Sequence, residues 1–249
     1  MDSARNCAER VLRIVNLAFS KSGEIATTQV WAEVFGLNSE RAIQDPHEVW
    51  EKLRLLRIEI DFVRTLMAKT TFPDDIYTPY LDRLTAVVSV PNISSQWKGY
   101  KGNIQPDTIL ALRYCSEIIQ PEGLISTGEL QNLLDLILQL REEIKDTPFS
   151  PGTQDFLLGQ LAIIEGGIRD YPLSGAAAIA KAFHEGFRTP SNPAEDVKDK
   201  QGYSKVMSAW GGLWKLSKDV VHMDNVIKLM GTCVERGTPL LTWSVTPLN

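Results

Sequence analysis

Residues 45–69 read DPHEVWEKLRLLRIEIDFVRTLMAK, and this stretch decides the fold class. Asp45-Pro46 is a helix start, because aspartate is a favoured N-cap and proline needs no N–H at the first helical position. Val49, Leu53, Leu56, Ile60, Val63 and Met67 follow at intervals of three and four, the spacing that gathers apolar side chains on one face of an α-helix. Glu48 with Lys52 and Arg57 with Asp61 stand four apart and pair opposite charges on the wet side. The pattern predicts one long amphipathic helix reaching Lys69.

Helical spacing continues in both directions. Toward the N-terminus, a helix opening at Ser3 places Cys7, Val11, Ile14 or Val15, and Ala18 on one face before Gly23, and a shorter one runs from Thr28 through Trp31, Val34 and Phe35 to Gly36. Toward the C-terminus, Thr78-Pro79 repeats the start signal ahead of Tyr80, Leu81, Leu84 and Val88. Further helices are expected over 106–119, 127–145, 151–170 and 174–187, each bounded by Pro, Gly, Ser or Thr. The last of these carries Gly175, Ala176, Ala177, Ala178 and Ala180, small side chains that let neighbours approach closely, and is expected to be the central, most buried helix. Tyr203, Val206 or Met207, Trp210, Leu213 or Trp214, Val220 or Val221, Ile227, Met230 and Val234 form a final stripe, with a break or a close crossing at Gly211-Gly212.

Between Ser89 and Pro106 the spacing fails: Pro91, Gly99, Gly102 and Pro106 mark loops around a turn of helix near Trp97. This is the candidate boundary, separating an N-terminal helical subdomain at 1–95 from a C-terminal bundle at 104–249; a single domain is the alternative. A second polar stretch, Arg188 to Gln201, reads as an exposed loop that tolerates deletion. Strand signals are confined to Leu240–Val245. The expected fold is therefore all-α, a multi-helix bundle of about 9–11 helices.

Composition narrows the function classes. The chain has 249 residues, 43% apolar and 23% charged, with a net charge of −5. Residues 1–125 carry 14 basic and 16 acidic side chains, so neither half has the excess of Lys and Arg that a nucleic-acid platform requires. Cys7, Cys115 and Cys233 are widely separated, an odd count without a CxxC pair, and read as reduced core thiols of a reducing compartment. The polar start Met1-Asp2-Ser3-Ala4-Arg5-Asn6 is no signal peptide, and apolar runs such as Leu133–Leu138 are too short to span a bilayer. The expectation is a soluble, cytoplasmic protein.

The inventory of chemical motifs is short. Arg41 and His47 have the Arg-x5-His spacing of HEPN-like helical ribonucleases, which this segment resembles; in those enzymes both residues face the cleaved phosphate from one helix. Here Asp45-Pro46 starts a helix between them, so the two side chains do not share a helical face. Asp219 and His222, with Asp224 nearby, resemble one half of a di-metal helical site, but that site needs a second pair that the chain lacks. His184-Glu185 lacks HExxH spacing, and neither a Walker loop nor a Gly-x-Ser-x-Gly elbow occurs. No catalytic residue, cofactor or metal ligand is assigned.

Two aromatic features suit binding better. Trp97-Lys98-Gly99-Tyr100-Lys101-Gly102 mixes aromatic faces with positive charge, and Tyr203, Trp210 and Trp214 form a stripe at helical spacing, joined by Trp243. Each has a plain alternative as core packing. The succession of amphipathic helices and the segment Asp170-Tyr171-Pro172-Leu173-Ser174-Gly175 also resemble the motif-poor helical partners and regulators of bacterial conflict systems. The expected function is a helical protein-interaction module, an adaptor, scaffold or regulatory subunit of a bacterial-type intracellular system. Its partner is another protein or a second copy, and Trp97, Tyr100, Tyr203, Trp210 and Trp214 are the interaction candidates. The alternative is a helical ribonuclease or toxin-like effector of a conflict or defence system, with Arg41 and His47 as its pair.

Overall fold

A computed structural model describes residues 4–188 and 200–217. The described residues form eleven α-helices and no strand: α1 (Cys7–Ser20), α2 (Thr27–Val34), α3 (Ser39–Gln44), α4 (His47–Met67), α5 (Thr78–Val88), α6 (Lys98–Lys101), α7 (Pro106–Ile118), α8 (Thr127–Asp146), α9 (Pro151–Ser174), α10 (Ala176–Arg188) and α11 (Lys200–Ser217). The protein is all-α. No helix among the described residues is long and apolar enough to cross a membrane.

The described residues divide into two compact units. One holds Ala4–Glu122 together with Pro172–Gly175; the other holds Gly123–Tyr171, Ala176–Arg188 and Lys200–Ser217. The stretch from Ser89 to Pro106, read from the sequence as the boundary, lies inside the first unit, and the division falls after Glu122.

The first unit is built around α4. Val49, Leu53, Leu56, Ile60, Val63 and Met67 are all buried, as their spacing requires, and α1, α5 and α7 pack against the helix. Proline enters as the cap: α4 begins one residue later than Pro46, and the Asp45 carboxylate accepts the His47 N–H at 3.1 Å. α1 starts at Cys7 and not at Ser3, because Asn6 is the residue that satisfies its end. The Asn6 side chain accepts the Glu9 N–H at 3.1 Å, and its amide donates to the Ser116 and Ile119 carbonyls at the C-terminus of α7. One buried side chain thus caps two helix ends.

The return of Pro172–Gly175 to the first unit has a visible basis. Leu173 is buried in that unit's core. Gly175 adopts φ +53°, and a Cβ there would stand 2.5 Å from the Arg10 guanidinium, so only glycine fits.

In the second unit, Leu130, Leu133, Ile137, Leu140 and Ile144 of α8 face Leu157, Leu161, Ile164, Ile168 and Tyr171 of α9 in one core, with Ile179 and Phe183 of α10 and Val206, Ala209, Trp210 and Leu213 of α11. α10 is not the most buried helix that its small residues suggest; α2, with five of its eight residues buried, is more so. α10 buries Ala178, Ile179, Ala182 and Phe183 but exposes Ala177, Lys181 and Glu185, an amphipathic arrangement set by its charged positions. Gly211-Gly212 does not break α11 either; Gly212 is a close crossing, its missing Cβ 3.1 Å from Leu133 of α8. The loop expected over 188–201 and the segment with Val220, Val221, Ile227, Met230, Val234 and Leu240–Val245 lie largely outside the described residues.

Candidate interaction surface

The segment 92–101 is fastened to residues 21–28. Thr27 and Thr28 each donate through both backbone N–H and hydroxyl, to the Ser95 and Ile93 carbonyls, with hydroxyl distances of 2.8 and 2.7 Å. Trp97 N–H donates to the Ile25 carbonyl and Lys98 N–H to that of Gly23, both at 2.9 Å. Held this way, Trp97 has no exposed surface: its indole N–H donates to the Ala18 carbonyl at 3.1 Å and its ring meets Trp31 edge to face.

The rest of that segment is similarly committed. Tyr100 is half-buried and stacks on Trp97 at 6.4 Å between centroids. Lys101 donates to the Lys21 carbonyl at 2.7 Å and sits over the Phe19 ring, and Lys98 pairs with Glu24 at 3.5 Å. The aromatic and basic residues that suggested a loop able to clasp a ligand instead close the core over α1 and α2.

On α11, Trp210 is 5% exposed. Its indole N–H donates to Gln160 at 3.1 Å, and its ring lies against Phe183 and over Gly186, where a Cβ would enter the indole. Trp214 is half-buried and meets Phe183 edge to face at 5.6 Å; Tyr203 is half-buried too, and burial pushes its phenol up. Burial takes Trp97 and Trp210 off the surface, so neither offers an indole to a partner. Tyr100, Tyr203 and Trp214 keep part of their surface in solvent. Trp243 lies outside the described residues.

Titratable groups in the interior are structural in geometry. Arg10 donates to Glu59 through Nε and Nη2 at 3.1 and 2.8 Å and to Glu122 through Nη1 at 2.7 Å, while Cys7 N–H also donates to Glu122. Burial raises Glu59 above the usual carboxylate range, outweighing an arginine that is shared with Glu122. Burial likewise pushes the thiols of Cys7 and Cys115 up to about 12, which leaves them protonated and poor nucleophiles at neutral pH. In the second unit, buried Glu165 accepts from Arg141 and Arg169 at 2.6 and 2.7 Å. Among the described residues no group of three or more His, Cys, Asp or Glu is placed to hold a metal.

Arg41 and His47 are both exposed, one on α3 and the other the first residue of α4. They are not presented from one helix. His184 is half-buried beside Glu185, which pairs with Lys181 at 3.6 Å. Asp219, His222 and Asp224 lie outside the described residues.

No known protein family, curated protein or solved structure matches this chain. The surface itself therefore has to carry the functional reading.

One feature of that surface is the outward side of α4. Opposite the buried stripe, Ile58 and Phe62 are 49% and 42% exposed; Trp50, on the flank of the helix, is 37% exposed, and Ile43 at the end of α3 is 57% exposed. Between them stand Glu51 with Arg54 and Arg57 with Asp61, paired along the helix at 3.0 and 3.3 Å. The expected wet side of α4 is thus part charged and part apolar. The signal was present in the sequence: Ile58 and Phe62 are four apart and fall outside the three-and-four stripe that builds the core.

Proposed function

We propose that this chain is a helical protein-interaction module, an adaptor, scaffold or regulatory subunit that acts by holding another protein or a second copy of itself. The observation that carries the reading is the outer side of α4, where Ile58 and Phe62, four residues apart, stand in solvent opposite the face that fills the core, with Trp50 exposed on the flank of the same helix. A surface helix ordinarily needs only one apolar stripe, and large apolar groups gathered on the second side mark a surface that gains by being covered. The interleaved ion pairs keep the free surface soluble and give a partner polar positions to read. An intracellular setting, expected from the cysteines, and one of bacterial type, expected from the succession of amphipathic helices and the segment Asp170–Gly175, belong to the same proposal.

The test is native mass spectrometry of the protein purified gently from its host, with Ile58→Glu/Phe62→Glu run beside it. The wild type should appear as a homo-oligomer or a stoichiometric complex, and the variant as a monomer with an unchanged far-ultraviolet circular dichroism spectrum. A wild-type monomer, or an assembly that survives the double substitution, would remove this surface from consideration.

A further inference from the structure

We draw no further inference here: the strongest candidate, the groove between α9 and α10 lined by Gly166, Gly167, Ala178 and Ala182 and edged by Asp170, Lys181 and Glu185, is a stripe of small residues, and nothing in the structure shows what covers it.

Discussion

Arg10 on α1 grips Glu59 on α4 through two hydrogen bonds to a single carboxylate oxygen, with the side chains only 6% and 3% exposed. The same guanidinium reaches the part-exposed Glu122, so one cation serves two acids of the first unit. Taking Arg10 and Glu59 out of water is costly, and the arrangement persists because each has a partner.

Removing that cation should therefore be severe. Arg10→Met leaves Glu59 buried without a donor, and the loss is expected to be about 3–5 kcal/mol in urea unfolding. The double variant Arg10→Met/Glu59→Leu should recover part of it, because the more deeply buried acid is gone and only the part-exposed Glu122 has lost its cation. A single variant within about 0.5 kcal/mol of wild type would show that the pair contributes nothing.

The raised Glu59 acid gives a pH signature with a definite sign. Its folded pKa lies above the unfolded value, so its contribution to stability is complete below the unfolded pKa and fades as pH rises through the folded one. Glu33 and Glu143 work in the opposite sense: hydrogen bonds from Lys21 and Lys205 hold them low, and their contribution is lost on acidification. In Glu59→Gln the first component disappears. The stability of wild type relative to this variant should fall as pH rises above the ordinary glutamate range, read by urea titrations at each pH; a constant difference would contradict the burial argument.

Two glycines of the second unit should respond oppositely to alanine. At Gly186 a Cβ would enter the Trp210 ring, so Gly186→Ala is expected to cost about 1–3 kcal/mol and to change the tryptophan fluorescence. At Gly211, also helical, nothing lies within 4 Å, and Gly211→Ala should stabilise by about 0.5–1 kcal/mol through helix propensity alone. Equal effects at the two positions would mean that α10 and α11 do not pack as described.

Cys7 and Cys115 should resist alkylation in the folded protein. With both thiols pushed up to about 12 and buried, iodoacetamide at pH 8 should leave them unmodified until denaturant is added, as peptide mass spectrometry can resolve site by site. Rapid native labelling of either would show that α1 and α7 open readily.

Sequence periodicity made α4, α5, α7 and α8 legible because each builds its core face from local spacing, and their starts carry Asp45-Pro46, Thr78-Pro79, Pro106 and Ser126. α3 escaped notice because six residues with one buried alanine leave no stripe to read. The role of 89–106 was hidden for a different reason. Its proline and glycine content marks irregular backbone correctly, but what keeps it in the first unit is pairing with Thr27 and Thr28, some 65 residues away in sequence at the Thr28–Ile93 bond. Trp97 and Trp210 show the same limit: aromatic spacing identifies a face, while the donors and small residues that bury it, the Ala18 carbonyl and Gly186, come from other elements.

The placement of Leu173 and Gly175 in the first unit has a consequence for biosynthesis. A nascent chain that has emerged as far as Glu122 holds every helix of that unit but not the four residues that finish it. At about 5–20 residues per second, translation of 123–171 delays completion by roughly 2–10 s. For that interval the Leu173 site stays unfilled, so the first unit is an incomplete structure waiting on residues made after it, and a truncation after Glu122 would make the wait permanent.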